Sequence, residues 1–494
     1  MSSVSVIGGG IAGIATAALL ARHGHQVTVC ERGSELGGRM GTLSIDGFRF
    51  DTGPSWYLMP EAFEHYFAHF GTTPQQEFGL TRLDPAYQIF SGNSPAAPAL
   101  SVRTGHAEEL FESIDPGSGA RLHAYLDSAA LTYNLALRHF LYTTFTRPRD
   151  FLVPEIAGHL PRLASLLTRP LSTKAAAVTR HPVLRKILEY PAVFLSSRPE
   201  AIPSLYHLMS HTDLTQGVFY PTGGFYAVVE SIARLATQHG VRVLTDCEVT
   251  GIDVAGSRAR GLHTSAGYVP ADYVVSAADL HHTETALLPR AARSYPERWW
   301  ARRDPGPSTV LVMLGVRGSL NQLSHHNLLL SEDWRPDFDA VYSGAWPRYS
   351  QSIYVCRPSA TDPTVAPAGY ENLFVLVPVP ADPGYGATEQ VAQAVVDQLG
   401  RRIGVPDLAR RVVVRSVRGP GDFHERYHAW QAGAIGPAHT LRQSAFLRGS
   451  NASRRVRNLF YSGGTTLPGV GVPMCLISAE NILERIPSAT PVIG

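Results

Sequence analysis

An α/β fold is predicted for this chain: a parallel sheet with packed helices, joined to a second, mixed α+β domain. Three observations predict it. The first 31 residues read strand, glycine turn, helix, strand, acid. Apolar runs of the fully buried strand type recur far apart, at 273–278, 309–316, 373–380 and 458–462. And 494 residues exceed what one core supports, so two or more domains are expected.

The N-terminal unit comes first. Ser3 to Ile7 is a β-type run, and Gly8-Gly9-Gly10-Ile11-Ala12-Gly13 follows it directly. Ile11 to His23 is rich in Ala, Leu and Ile and predicts a helix stopped at Gly24; Gln26 to Glu31 predicts the next strand. Gly8 permits the tight turn, Gly10 lets backbone approach a pyrophosphate, and Gly13 lets the helix pack on the sheet. The helix start at Ile11 and Ala12 offers free N–H groups and a positive dipole end to phosphates. Glu31, 18 positions after Gly13, is placed to accept hydrogen bonds from ribose hydroxyls. These parts in this order are a Rossmann-type dinucleotide unit.

Arg32 follows the acid, and Gly37-Gly38-Arg39 comes soon after. Thr42–Ile45 and Phe48–Asp51 flank Asp46-Gly47, a strong hairpin signal. Asp51-Thr52-Gly53-Pro54 closes the segment. A helix is predicted over about 61–71, and a mainly helical region over about 90–219.

Between Arg138 and Ser210, basic residues alternate with apolar ones: Arg147, Arg149, Arg162, Arg169, Lys174, Arg180, Arg185, Lys186 and Arg198. Acids are few, namely Asp150, Glu155, Glu189 and Glu200. Such a stretch is either a helical domain with a solvated basic face or a surface that meets anionic lipid.

After Gly223-Gly224 the pattern turns to a helix over Tyr226–Gln238 and strands near 241–245 and 247–252. A hairpin is predicted from 261–264 and 268–270, and then the 273–278 strand. The runs at 309–316 and 373–380 predict a second sheet, the floor of a second domain. The pair His325-His326 suggests a metal, but neighbours on an extended chain point opposite ways, which argues against a shared ligand role. At the C-terminus a strand over 458–462 leads into Gly463-Gly464 and the loop to Pro473; a helix follows over 474–485. Strand, glycine loop and helix start again make an anion-seeking geometry, which includes Val472 and Pro473.

Composition excludes several classes. Lys plus Arg is 43 against 41 for Asp plus Glu, without the basic excess of a nucleic-acid binder. Cys30, Cys247, Cys356 and Cys475 are dispersed and suggest neither zinc nor a disulfide framework. No basic and apolar leader precedes the first strand, so a secretory signal is not expected, and the sequon at Asn451 reads as chance. No apolar stretch approaches the roughly 18 residues of a membrane span.

The Gly37-Gly38-Arg39 segment resembles the one that follows the ribose acid in the amine-oxidase and phytoene-desaturase superfamily of flavoproteins. Four further stretches resemble the bacterial phytoene (carotenoid) desaturase family nearly end to end: Tyr220 to Gly224, Tyr354 to Ser359 with Asp362-Pro363, Gly433 to His439 with Leu441 and Gln443-Ser444, and Gly469 to Pro473. One departure is Thr465-Thr466-Leu467 before Pro468, where many members carry a His.

The resemblance implies an amine-oxidase-like architecture. It divides the chain into a discontinuous FAD-binding domain (1–90, 223–290, 435–494) and a substrate and membrane-facing domain (91–222, 291–434). It implies FAD, held by Gly8, Gly10, Ile11, Ala12, Gly13, Glu31, Arg32, Gly38, Arg39, Val249, Gly463, Gly464, Val472 and Pro473, with Val249 passing the adenine. It implies desaturation of a long isoprenoid hydrocarbon, phytoene stepwise toward lycopene, by hydride transfer to flavin. No catalytic side chain and no metal is assigned. Electrons would pass to oxygen or a quinone, and the enzyme would sit in the cytoplasm, peripheral on the cytoplasmic membrane. The alternatives are another carotenoid oxidoreductase (shorter-polyene desaturase, later-step desaturase or isomerase), an amine oxidase on the same fold, or a non-catalytic escort of prenylated proteins.

Overall fold

The computed structural model describes residues 1–92, 99–144 and 158–488. Its first sheet is parallel and five-stranded, drawn from three remote parts of the chain. In spatial order it runs Leu459–Tyr461, Tyr273–Ser276, Ser3–Ile7, Gln26–Cys30 and Arg242–Leu244. Val4 stands between Tyr273 and Val27, and Val274 opposite Leu459.

The first helix, Ile11–Arg22, is buried without interruption from Ile11 to Leu20. It therefore has no polar face, as expected of a helix covered on all sides. Its covers include the helices Tyr226–Gln238 and Val472–Leu483, which share a core with Ile14, Ala15 and Leu19. Each fully buried Ile or Leu there contributes roughly 1.5–3 kcal/mol.

The hairpin forms as predicted. Thr42–Ile45 pairs with Phe48–Asp51, and Asp46 and Gly47 both take positive φ, 50° and 81°, the geometry of a two-residue hairpin turn. Asp51 ties it to the segment after Gly224 by accepting N–H bonds from Phe225 (2.8 Å) and Tyr226 (3.2 Å). A three-stranded meander, Val249–Ala255, Arg258–Thr264 and Gly267–Pro270, contains the predicted hairpin pairing of Thr264 with Gly267.

The second large sheet has seven strands. Ser308–Arg317 pairs antiparallel with Tyr370–Val379 over ten residues, so the predicted apolar runs at 309–316 and 373–380 lie side by side. Beyond them come Ile353–Cys356, His326–Leu330, Tyr87–Ser91 and Leu100–Val102, with Val412–Arg418 on the other edge. The domain boundary drawn at 90 falls inside the strand Tyr87–Ser91. By its pairing with His326–Leu330 that strand sides with the second sheet.

Helices dominate the stretch between, as predicted, including Ala107–Ile114, Ser118–Ala136, Leu160–Thr168, Leu171–Val178 and Pro182–Glu189. The basic residues there do not form one solvated face. Lys186 is buried and donates to the carbonyls of Ser331 (2.6 Å) and Glu332 (2.9 Å). Arg185 pairs with Glu189 and Arg198 with Asp339. Arg147, Arg149, Asp150 and Glu155 lie outside the described residues. Asn451 of the sequon is fully buried, and its amide donates to the carbonyls of Tyr461 (3.1 Å) and Leu467 (2.9 Å), which leaves no room for a glycan.

Candidate active site

One cavity of about 960 Å³ runs from the first glycine turn into the second domain, near the upper end of the roughly 300–1,000 Å³ usual for ligand sites. Thirteen of the fourteen cofactor residues named from sequence line it: Gly8, Gly10, Ile11, Ala12, Glu31, Arg32, Gly38, Arg39, Val249, Gly463, Gly464, Val472 and Pro473. Gly13 lies behind the wall. A Cβ on it would stand 2.0 Å from the Gly8 carbonyl oxygen, so its role is the close packing of helix on turn.

Two helix starts open on this cavity. Neither Gly10, before Ile11–Arg22, nor Gly471, before Val472–Leu483, supplies a side-chain cap, and neither first turn carries an acid. Uncapped N–H groups with no competing carboxylate suit an anion. A Cβ on Gly10 would meet nothing nearer than 4.0 Å, so the space in front of the turn is free. Glu31 is fixed beside it: its Oε2 accepts from Gly9 N (2.6 Å) and its Oε1 from Gly33 N (2.7 Å). Two N–H bonds hold the carboxylate at the cavity edge and leave lone pairs for hydroxyl donors.

Arg39 enters where Gly53 packs on its backbone; a Cβ on Gly53 would reach 1.9 Å from the Arg39 carbonyl oxygen. The Arg39 guanidinium lies over the Tyr427 ring at 5.6 Å, and its buried Nε has no hydrogen-bond partner. Nearby Asp279 lines the same cavity. Burial pushes its carboxyl up, opposed by the charge of Arg39 and by N–H bonds from Trp430 and His281. Arg32, in contrast, spends its guanidinium on the protein: on His428 Nε2 (3.0 Å), the Glu425 carbonyl and, at 3.9 Å, Glu248.

Sequence reasoning missed the far half of the cavity. Ser55, Trp56 and Tyr354 line it, and so do the apolar side chains Leu135, Phe140, Leu163, Leu167, Leu208 and Met209. Leu167, Leu441 and Leu447 line the cavity and are also exposed, at 38%, 48% and 42%, which marks its mouth. No spacing rule singles these residues out, because six or more separate segments supply them.

Among the described residues the cavity offers no activated nucleophile. Cys475 lines it, but burial pushes its thiol up to about 11. Burial drives the His439 imidazole far below its usual range, so it is neutral. Its Nε2 stands 2.4 Å from where a Cβ on Gly469 would be, which requires glycine there.

His325 and His326 do not point apart as the sequence argument expected. His325 lies in a bend before the strand that begins at His326, so strand alternation does not apply to it. Their ring centroids are 4.6 Å apart, and with Cys356 they form a buried donor set within 4.8 Å. The second such set among the described residues is His65, His69 and Glu480.

The residues around Gly8, Glu31, Arg39 and Gly463 fit FAD. A space free of Cβ atoms and two uncapped helix starts suit its pyrophosphate, a fixed carboxylate suits its ribose, and an unpartnered buried guanidine nitrogen suits a polar ring edge. Comparison with known proteins agrees. The family model described as flavin containing amine oxidoreductase matches residues 11–486. The carotenoid 3,4-desaturase of Haloarcula japonica is 39% identical over 493 residues, covering 98% of this chain and 97% of its own length. The zeta-carotene-forming phytoene desaturase of Myxococcus xanthus is 31% identical over 488 residues, covering 98% and 93%. Among solved structures, cyclohexylamine oxidase from Brevibacterium oxydans superposes with a TM-score of 0.60 at 16% identity, over 97% of each chain, a likeness of fold.

Proposed function

The chain belongs to the flavin-containing amine oxidoreductases, in their carotenoid desaturase branch, and from that premise we propose that it is an FAD-dependent desaturase of a long carotenoid hydrocarbon. The observation that carries this reading is that one cavity is lined both by the dinucleotide turn with Arg39 and by a set of leucine and phenylalanine side chains.

Bound FAD supplies a two-electron acceptor able to take a hydride from a CH₂ beside a double bond. The chain supplies the rest. Gly8, Gly10 and the helix start at Ile11 would bind its pyrophosphate, Glu31 would take the ribose, and Arg39 would orient the ring end. The apolar part of the cavity aligns a polyene and excludes water from the allylic cation left behind. Among the described residues its walls carry no activated nucleophile to trap that cation.

Two substrates are supported to different degrees. The relative at 39% identity is named a 3,4-desaturase and the one at 31% acts on phytoene. The first favours a later step on an already conjugated chain; the second favours phytoene toward lycopene. The leucines at the cavity mouth support a peripheral position on the cytoplasmic membrane, where lipid-dissolved substrate enters and oxygen or a quinone takes the electrons. Among the described residues no helix is long and apolar enough to cross a membrane.

Flavin-loaded protein is given phytoene, or a longer conjugated carotenoid, in liposomes with air or quinone. Pigment whose absorbance moves to longer wavelength without added NAD is the expected product. A shift from the conjugated carotenoid alone assigns the later step. Flavin reduced only by amines would sink the assignment.

A further inference from the structure

Away from the cavity, two helices bring together three side chains of the metal-ligand type. His65 and His69 stand four residues apart at the end of the helix Pro60–Ala68, a spacing that puts both imidazoles on one face. Glu480 comes from Val472–Leu483, the helix packed against it. The Glu480 Oε2 lies 2.6 Å from His65 Nδ1 and 3.2 Å from His69 Nε2. One donor atom from each of the three residues lies within 4.8 Å of the others.

The carboxylate separates this cluster from a surface ion pair. Its side chain is only 7% exposed, and its Oε1 is buried without a hydrogen-bond partner. Two imidazoles donating to Oε2 satisfy that oxygen and leave the other bare, which is costly for a carboxylate away from water. A cation shared by both oxygens removes the cost. Access is open, because His65 is 57% exposed. The two histidines are also held in place: Arg22 donates to the His69 carbonyl, and the Tyr142 ring centroid lies 4.8 Å from that of His65.

We propose that His65, His69 and Glu480 form a binding site for a divalent transition-metal ion of zinc chemistry. Two imidazoles and a carboxylate are a known zinc ligand set, with bonds of about 2.0–2.2 Å. Each imidazole binds through the lone pair of a neutral ring. Two bonds of about 2.1 Å at a tetrahedral angle place their donor atoms about 3.4 Å apart. His69 Nε2 is already near that spacing from Oε2, and the exposed His65 has about 0.8 Å to move. None of the three residues lines the cavity. Glu480 stands about 12 Å along its helix from the start at Val472. The ion therefore clasps to Pro60–Ala68 the helix that opens on the cofactor, and it leaves the cofactor's own contacts untouched.

The test uses untagged, flavin-loaded full-length protein, stripped with a chelator and dialysed against Zn²⁺ alone. Metal content and thermal unfolding are read together. Wild type is expected to retain one equivalent of zinc more than His65→Gln or Glu480→Gln, and zinc should raise its unfolding midpoint. Both variants should keep their flavin and lose that rise. His65→Gln changes an exposed side chain, so its loss of zinc cannot be a failure to fold. Equal zinc in wild type and either variant, whether an adventitious ion only or none, overturns the site. Loss of the extra equivalent in Cys356→Ser places the ion in the buried set of His325, His326 and Cys356 and overturns it too.

Discussion

Replacing Gly10 with valine should empty the cofactor site and leave the protein folded. Gly10 has φ −66° and ψ 172°, an extended conformation open to any L-residue. A Cβ there meets protein only at 4.0 Å, so the side chain costs the polypeptide little. It occupies instead the space before the uncapped start of Ile11–Arg22, where the pyrophosphate must lie. Losing two charge-assisted N–H bonds, at about 1.5–3 kcal/mol each, weakens binding by about 3–6 kcal/mol, or roughly 10²- to 10⁴-fold. Two measurements check this: flavin absorbance per protein after desalting, and thermal unfolding with and without added FAD. Wild type should gain about 2.7 kcal/mol when FAD is at 100 times its Kd, and at the same FAD concentration Gly10→Val should gain no more than about 0.4 kcal/mol while unfolding, without FAD, like wild-type apoprotein. Stoichiometric flavin in Gly10→Val would refute the assigned phosphate turn. Loss of the apoprotein's cooperative unfolding would refute the claim that the space belongs to the ligand.

Gly13→Ala should behave oppositely: its Cβ meets the Gly8 carbonyl oxygen at 2.0 Å, and overpacking of about 3 kcal/mol or more should show as insoluble protein or a lowered unfolding midpoint, whatever the flavin supply. Asp213, buried against the hydroxyls of Tyr190 and Tyr87, has its carboxyl raised by burial to about 7. The folded state therefore holds this proton longer than the unfolded chain. The stability it contributes is full below about pH 4 and is lost as pH rises through about 7, at up to about 1.4 kcal/mol per pH unit. Urea unfolding of Asp213→Asn relative to wild type should show that loss removed, and parallel pH profiles would contradict it. Leu160→Ser with Leu167→Ser, two exposed positions on one helix at 56% and 38%, should reduce flotation on anionic liposomes without changing flavin content; undiminished flotation would place the docking surface elsewhere.

The cofactor end was legible because its signals are local. Gly8 to Glu31, the Asp46-Gly47 turn and the glycines before Val472 each declare themselves within a few dozen residues. The paired strands Ser308–Arg317 and Tyr370–Val379 were legible as continuous apolar runs, the mark of burial on both faces. The far end of the cavity was not. Trp56, His326 and Tyr354 meet only because His326–Leu330 pairs with Ile353–Cys356 and the loop after Gly53 folds over them. The nearness of the His325 and His326 rings was not foreseen because alternation was applied to a residue one step before its strand. Lys186 and Arg198 counted as surface charge until tertiary carbonyls and an acid claimed them.

The five-stranded sheet also sets an order of events during synthesis. Its middle strand, Ser3–Ile7, is the first to leave the ribosome, and Tyr273–Ser276 then docks on one side of it. The outer partner of that second strand, Leu459–Tyr461, emerges roughly 10–40 seconds later at 5–20 residues per second. Throughout that interval a hydrogen-bonding edge of buried-type residues stays unpaired. The second glycine loop and the helix start at Val472 do not yet exist. Flavin loading is thereby deferred until the chain has been made past Val472, and a nascent chain stalled before Leu459 carries an aggregation-prone edge in place of a partial enzyme.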